Sequence, residues 1–130
     1  MIQRTIWVID DDIIYKTIMK KIIQKSEKFS NTFTFSNGEE AINALKNLHK
    51  NNEALPDIIL LDIDMPVMDG WGFMVEMALL KPLLQSQISI YISSSSIAIE
   101  DKLRAKNNPH ILGYMSKPIS LEDLILIASH

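Results

Sequence analysis

Short apolar runs alternate with amphipathic stretches five times along the chain. Continuous apolar runs bounded by polar or proline residues are typical of strands buried on both faces of a parallel sheet. The runs predict five strands, at residues 5–9, 33–35, 58–61, 88–92 and 111–115. The third, Ile58–Leu61, is entirely aliphatic and predicts the most buried strand.

The first helix is predicted to begin after Asp12, whose carboxylate can cap it and suits the helix dipole. Apolar residues at helical spacing predict its inward face: Ile14, Ile18 and Ile22, with Ile13 and Ile23 widening the stripe. Four lysines also fall at helical spacing and predict a solvated face: Lys16, Lys20, Lys21 and Lys25.

Four further helices are predicted to begin near residues 38, 70, 97 and 121. Two of them have the spacing of a capping box at their start, Asn37 with Glu40 and Ser120 with Asp123. Glu100 and Arg104 are spaced for an ion pair on the fourth helix. The strand–helix order, repeated five times, predicts an α/β protein whose parallel sheet carries helices on both faces.

Composition narrows the class of protein. A chain of 130 residues, 47% apolar and 22% charged, can form one globular domain, which we expect to span residues 1–130. It has no cysteine, so disulfides and thiolate metal sites are excluded. It lacks a signal-peptide pattern and any run of eighteen apolar residues, which favours a cytoplasmic protein. The net charge of −3 argues against a dedicated nucleic-acid binder.

Polar residues follow each of four predicted strands. They are Asp10, Asp11 and Asp12 after the first, Asp62 and Asp64 after the third, Ser93 after the fourth, and Lys117 after the fifth. The carboxyl ends of parallel strands meet at one edge, where open α/β sheets bind ligands. Crowded carboxylates stay ionised only beside a compensating cation, and oxygen ligands without nearby His or Cys favour Mg²⁺ before Ca²⁺.

The same edge predicts chemistry on a phosphoryl group. A carboxylate can act as a nucleophile and form an acyl phosphate, and Asp62 ends the most buried strand. Ser93 can donate a hydrogen bond to a phosphoryl oxygen, and Lys117 can neutralise another as a point charge. Positioning and charge stabilisation dominate such a transfer.

Four separated motifs then carry a family resemblance that covers essentially the whole chain. They are residues 8–12 (VIDDD), residues 60–66 (LLDIDMP) with Asp69 and Gly70, Ser93 with Ser94, and residues 114–118 (YMSKP). With these motifs the chain resembles a response-regulator receiver domain of two-component signalling, of the stand-alone kind typified by the bacterial chemotaxis regulator. The resemblance implies a flavodoxin-like (βα)5 fold with a five-stranded sheet in the order 2-1-3-4-5.

The resemblance also implies a role for each matching residue. Asp62 would be the phosphoacceptor, with Mg²⁺ bound by Asp10, Asp11, Asp62 and the backbone carbonyl of Asp64. Ser93, the amide of Ser94, and Lys117 would hold the phosphoryl group. Tyr114 would be the switch aromatic that turns inward when the Ser93 hydroxyl moves toward the phosphate. The bond between Lys117 and Pro118 is expected to be cis.

The implied partners are a histidine kinase or histidine phosphotransfer protein and a downstream protein target. The target would bind the fourth helix, fifth strand and fifth helix, at residues 97–106 and 111–128. The protein would dephosphorylate itself without turning over an external substrate. It would bind no nucleic acid directly, would not insert into a membrane, and would be a monomer or a weak phosphorylation-dependent dimer.

Two alternatives remain open at this point. A phosphohydrolase of the haloacid-dehalogenase type also has two aspartates spaced as Asp62 and Asp64, although Met65 and Pro66 follow here and the chain is short for such an enzyme. A degenerate receiver domain that acts only as a docking module would not need the intact acidic residues or Lys117. Each residue alone has an ordinary explanation as a turn, cap or surface position, and only their joint occurrence favours the phosphoryl site.

Overall fold

The structure, a computed structural model, describes residues 4–96 and 98–129. Strands and α-helices alternate in it in the following order: β1 Thr5–Ile9, α1 Ile13–Ser26, β2 Asn31–Phe35, α2 Gly38–Lys50, β3 Ile58–Leu61, α3 Gly70–Leu80, β4 Ser89–Ser94, α4 Ile99–Lys106, β5 Ile111–Ser116 and α5 Leu121–Ala128. A 3-10 turn at Lys81–Leu83 follows α3 directly. The predicted start of the fourth helix, Ile97, lies outside the described residues.

The five strands form one parallel sheet in the order β2-β1-β3-β4-β5, which confirms the expected α/β fold. Ile9 is paired with Leu61, Leu61 with Ile92, and Ile92 with Tyr114. The carboxyl ends of these strands therefore meet at one edge. From β1 the chain adds β2 on one side and β3 on the other, so the direction in which strands are added reverses beside β1. Doubly wound sheets bind their ligands at such switch points.

Successive side chains of a strand point to opposite faces, so the sheet separates two apolar layers. One layer joins the sheet to α2 and α3 through Leu45, Phe73 and Met77. The other joins it to α1 and α5 through Met19, Ile23, Leu124 and Ile127. All four residues of β3 are buried, as its aliphatic sequence predicts.

The predicted inward face of α1 is confirmed at Ile23 and wrong in the first half of the helix, while Ile22 is partly buried against the same layer. Ile13, Ile14 and Ile18 are exposed by 75%, 72% and 46%, whereas Tyr15, Met19 and Ile23 are buried. Both sets of residues recur about every four positions, so periodicity alone fits either face. Packing against β1, β3 and α5 selects the second set, and Asp12 fixes the start of the helix by accepting a hydrogen bond from the Tyr15 amide at 3.1 Å.

The predicted helix caps are largely confirmed. Ser120 and Asp123 form both hydrogen bonds of a capping box at α5. At α2, Asn37 accepts from the Glu40 amide at 2.9 Å, as expected. The Glu40 carboxylate, however, accepts from the amide of Ser36 rather than from that of Asn37.

Two charged side chains contact other partners than the sequence predicts. Lys16, expected on a solvated face, is buried, and its Nζ donates to the hydroxyl of Ser36 at 2.8 Å. Arg104 forms no ion pair with Glu100 in the part of the chain that the structure describes. Its guanidinium lies instead over the ring of Trp71, 4.5 Å from the centroid.

Among the helices of residues 4–96 and 98–129, none combines the length and the hydropathy that a bilayer crossing requires.

Gly70 brings α3 into contact with the end of β3. Its amide donates to the carbonyl of Ile63 at 2.8 Å. A Cβ atom at this position would lie 2.4 Å from the carbonyl oxygen of Asp62 and 3.0 Å from the Cα of Ile63. Only glycine therefore lets the helix begin directly against the backbone that carries Asp62.

Replacing Gly70 by alanine should lower the free energy of unfolding by about 2 kcal/mol or more, because backbone cannot yield to the new methyl group as a side chain can. Urea denaturation measures the loss. Gly72→Ala is the matched control, since its Cβ would meet the flexible side chain of Met68 at 3.0 Å and should cost less. Equal stabilities of Gly70→Ala and wild type would show that this close approach does not constrain the fold.

Candidate functional site

Two buried aspartates form the centre of the acidic edge. Asp10 follows β1 and is 1% exposed, and Asp62 follows β3 and is 6% exposed. The amide of Asp10 donates to the carbonyl of Phe35, and that of Asp62 to the carbonyl of Ile9, both at 2.9 Å. These two bonds continue the ladders of the sheet, so the strands themselves fix the positions of both residues.

Three of the predicted aspartates come together. Asp10, Asp11 and Asp62 each offer a carboxylate oxygen, and these oxygens lie within 4.8 Å of one another. We call these three residues the acidic cluster. Asp12 lies outside it and caps α1, as predicted, while its own amide donates to Asp10 at 2.9 Å. The side chain of Asp64 is exposed and is also outside the cluster.

Lys117 brings a positive charge to the acidic cluster from the end of β5. Its Nζ lies 2.5 Å from Oδ2 of Asp10 and 3.4 Å from Oδ1 of Asp62. Its amide donates to the carbonyl of Ser94 at 3.0 Å, and the bond to Pro118 is cis, as expected. One ammonium group thus contacts both buried carboxylates.

Burial and crowding change the acidity of these groups. Burial raises the pKa of Asp62 to about 6, the negative charge of Asp10 adds to this effect, and Lys117 opposes it. Burial would lower the pKa of Lys117, but its contacts with Asp10 and Asp62 outweigh burial and hold that pKa above its usual value. Lys117 therefore stays charged, and Asp62 takes up a proton more readily than an exposed aspartate.

The acidic cluster has the ligand chemistry of a divalent-cation site. Among the described residues, the ammonium of Lys117 pairs with two of the three carboxylates of the acidic cluster, so negative charge is in excess. Oδ2 of Asp10 is buried and, within the described residues, has the ion pair with Lys117 but no hydrogen bond of regular geometry. Oxygen ligands of this kind suit a hard cation such as Mg²⁺. The residues present therefore fit the expected metal.

Ser93 contacts Tyr15, a residue that was not among the predicted site residues. It lies in β4 rather than after it, is 2% exposed, and its Oγ is 2.9 Å from the hydroxyl of Tyr15. The ring of Tyr15 also lies against Lys117, whose Nζ is 4.5 Å from the ring centroid. Burial raises the pKa of Tyr15 above its ordinary value, against the opposing effects of Ser93 and Lys117.

Tyr15 was missed because the wrong face of α1 was predicted to be buried. The alternative stripe, Tyr15 with Met19 and Ile23, has one hydroxyl, and it lies in the first turn after the acidic end of β1. A helix that begins there must bring that hydroxyl near the edge where the strands end. The signal was present in the sequence, but only the choice of the buried face reveals it.

The other predicted residues lie close by but do not all converge. Tyr114 is half-buried against the layer formed by α2 and α3, and its hydroxyl donates to the carbonyl of Ser96 at 2.9 Å. Ser93 instead contacts Tyr15 in the layer formed by α1 and α5. The side chains of Ser93 and Tyr114 therefore lie on opposite faces of the sheet. Ser94 is buried, and its hydroxyl accepts from the Ser96 amide at 3.1 Å.

Comparison with known proteins gives a consistent family. The sequence model described as the response regulator receiver domain matches residues 6–129. The chain is 28% identical over 118 residues to a probable C4-dicarboxylate response regulator, DctR, of Halalkalibacterium halodurans. The aligned stretch covers 90% of this chain and 46% of that protein. It is also 38% identical over 63 residues to the chemotaxis protein CheY of Listeria monocytogenes, and this shorter stretch covers 48% of this chain and 47% of that protein. Each match thus spans less than half of the relative's length.

Solved structures with the same fold include two response-regulator proteins. A two-component response regulator from Cytophaga hutchinsonii superposes with a TM-score of 0.84 at 26% identity, covering 99% of this chain and 96% of the other. A response regulator receiver protein from Dyadobacter fermentans gives a TM-score of 0.81 at 26% identity, covering 95% and 94%. The whole described fold, and not a fragment of it, is therefore shared with these proteins.

Without divalent metal, Asp62→Asn should raise the free energy of unfolding at pH 7.5 by about 1–3 kcal/mol, since each pKa unit is worth about 1.4 kcal/mol. The pKa of Asp62 is raised from 3.8 to about 6 by folding, so the unfolded chain ionises first as pH rises. The wild type therefore loses stability between about pH 4 and pH 6. Asparagine carries no such penalty, and the difference should vanish below this range.

Chemical denaturation across this pH range measures the effect. Asp64→Asn is the control, because that side chain is exposed and its replacement should change stability by less than about 0.5 kcal/mol. A metal-free Asp62→Asn protein that is no more stable than wild type at pH 7.5 would contradict the predicted penalty.

Proposed function

The chain belongs to the response regulator receiver domain family, and on that premise we propose that Asp62 accepts a phosphoryl group from a histidine kinase or a histidine phosphotransfer protein. The observation that carries the proposal is the position of the Asp62 carboxylate. It lies in the acidic cluster, at the switch point of the sheet, 3.4 Å from the ammonium of Lys117. A nucleophile, a site for a cation and a phosphate-binding charge are thus adjacent.

In the proposed reaction an oxygen of Asp62 attacks the phosphorus atom of the donor. The new P–O bond forms an acyl phosphate while the P–N bond to the donor histidine breaks, and the released imidazole takes up a proton. Asp62 must be ionised to attack, and Lys117 both favours that form and balances charge on a phosphoryl oxygen. The hydroxyl of Ser93 and the amide of Ser94 would complete the phosphoryl site.

We assign the metal to Mg²⁺. Receiver domains bind a divalent metal, and the acidic cluster supplies carboxylates at a suitable spacing. The backbone carbonyl of Asp64, two residues beyond the phosphoacceptor, would be a further ligand. When bound, the cation would neutralise negative charge on the phosphoryl oxygens.

We propose that the phosphorylated state is transmitted through α4, β5 and α5. Ser93 would move toward the phosphoryl group and Tyr114 would turn inward, in a shift between pre-existing states. The hydroxyl of Tyr114 already contacts the segment after β4 through the carbonyl of Ser96. Ile99 and Leu103 of α4 and Leu112 of β5 are exposed apolar side chains that suit contact with a downstream protein. A cytoplasmic location accords with such partners.

Neither alternative function is favoured by the site. A haloacid-dehalogenase-type phosphohydrolase would need the carboxylate of Asp64 beside Asp62 as a general acid and base, but that side chain is exposed and lies outside the acidic cluster. A docking module without phosphorylation would have no use for the adjacent Asp10, Asp62 and Lys117. Receiver domains are phosphoacceptors, so we propose no turnover of an external substrate.

Acetyl phosphate with Mg²⁺ should add about 80 Da, the mass of one phosphoryl group, to the wild-type protein. Peptide mapping should place the addition at Asp62, and a chelator should prevent it. Asp62→Asn should gain no mass, and Lys117→Ala should be modified more slowly because a compensating charge is lost. The proposal fails if wild type is not modified or if Asp62→Asn is modified to the same extent.

Asp11→Asn should weaken Mg²⁺ binding by about tenfold or more, because it removes a charged ligand from the acidic cluster. Calorimetric titration of the metal measures the change. Asp12→Asn is the matched control, since it removes an adjacent negative charge but keeps a good cap for α1. Equal weakening in the two variants would mean that net charge alone, and not coordination by Asp11, controls the affinity.

A further inference from the structure

Tyr15 contacts two groups of the proposed phosphoryl site without having a part in the proposed reaction. It lies in the first turn of α1 and is buried between that helix and the sheet. Its hydroxyl is 2.9 Å from Oγ of Ser93, and its ring faces the ammonium of Lys117 at 4.5 Å. A single side chain thus contacts both the proposed switch hydroxyl and the proposed phosphate-binding charge.

The hydroxyl of Ser93 is committed to this contact in the unphosphorylated protein. Ser93 is almost fully buried, and within residues 4–96 and 98–129 the Tyr15 hydroxyl is the sole hydrogen-bond partner of its Oγ. No hydrogen bond joins Ser93 to Asp62 in the same residues. Either hydroxyl can be the donor of this bond, but in both cases the bond fixes the position of the Ser93 Oγ beside Tyr15. Ser93 is therefore directed toward α1 and not toward the phosphoacceptor.

We propose that Tyr15 is a positioning residue that holds the Ser93 hydroxyl in its unphosphorylated position and so opposes the switch. The inference rests on the proposed function, in which Ser93 moves toward a phosphoryl group on Asp62. The hydrogen bond to Tyr15 is then made in the resting state and lost in the phosphorylated state. An interaction present in one state only shifts the equilibrium between the two by its own free energy.

The two contacts of Tyr15 can be separated by substitution. Tyr15→Phe removes the hydroxyl but keeps an aromatic ring against Lys117 and in the apolar layer with Met19. Tyr91→Phe is a matched control. Tyr91 is a buried tyrosine of β4 in the same layer, and its hydroxyl forms no side-chain hydrogen bond to the described parts of the chain.

Beryllofluoride, an analogue of the phosphoryl group, tests the proposal when titrated with saturating Mg²⁺ and followed by amide NMR. Tyr15→Phe should lower the half-saturating concentration about fivefold, the equivalent of about 1 kcal/mol, because the resting state loses one buried hydrogen bond. Tyr91→Phe should leave it unchanged. A half-saturating concentration for Tyr15→Phe that is equal to or higher than that of wild type overturns the inference.

If the effect of Tyr15→Phe depends on Ser93, it arises from the position of the Ser93 hydroxyl and not from a general loosening of the structure. In a Ser93→Ala background there is no hydroxyl to hold, so adding Tyr15→Phe should have no further effect on beryllofluoride binding. An effect that persists in this background would overturn the assignment to Ser93. In the wild type, the ring Cζ resonance of Tyr15 should shift when the analogue binds, since its hydroxyl loses the hydrogen bond to Ser93. An unchanged resonance would overturn the inference without any variant.

The same data distinguish two kinds of failure. If the wild type neither binds beryllofluoride nor gains the phosphoryl mass from acetyl phosphate, the proposed function fails, and the role of Tyr15 fails with it. If the wild type does both while Tyr15→Phe behaves as wild type, only the role of Tyr15 is excluded.

Discussion

The crowding of negative charge at the ends of β1 and β3 is the constraint on which the rest of the site depends. Asp10 and Asp62 are buried side by side because the ladder bonds of the sheet place them there. In the part of the chain that the structure describes, Lys117 is the one ammonium that contacts both. Burial raises the pKa of Asp62 to about 6, and the negative charge of Asp10 adds to this effect. The fold thus tolerates an excess of negative charge at this site, and a bound cation can compensate it.

The two proposed switch residues, Ser93 and Tyr114, lie on opposite faces of the sheet. The contact between Ser93 and Tyr15 lies on the face covered by α1 and α5, whereas Tyr114 lies on the face covered by α2 and α3. In the proposed switch, a movement of Ser93 would therefore reach Tyr114 through the backbone and not through direct side-chain contact. The backbone after β4 offers a continuous connection, because it carries Ser93 within the strand and accepts the Tyr114 hydroxyl at Ser96 three residues later.

The sequence predicted the structure correctly where a local pattern is compatible with only one environment. The aliphatic run of β3 predicted a buried strand, and Asp62 directly after it had to lie at the carboxyl edge of the sheet. The strand order came from the family resemblance and not from periodicity. The roles assigned to Asp62, Ser93 and Lys117 remain predictions, although their positions at one edge agree with them.

The errors arose where the deciding partner is distant along the chain. Two stripes on α1 had equal spacing, and residues of β3 and α5 selected the one that includes Tyr15. Arg104 had an acidic residue one turn away, but the face of Trp71, 33 positions earlier, binds its guanidinium instead. Lys16 likewise reaches Ser36 across the end of β2. The spacing of residues along a helix shows which contacts a side chain could make, and the tertiary packing determines which of them forms.

The contact between Arg104 and Trp71 also has an optical consequence. Both tryptophans are buried in the same apolar layer, but the indole ring of Trp71, the second residue of α3, lies against the guanidinium of Arg104 from α4. Indole emission responds to a nearby positive charge, so a displacement of α4 relative to α3 would alter the emission of Trp71. The protein therefore contains its own fluorescent reporter of the position of α4, with no added label.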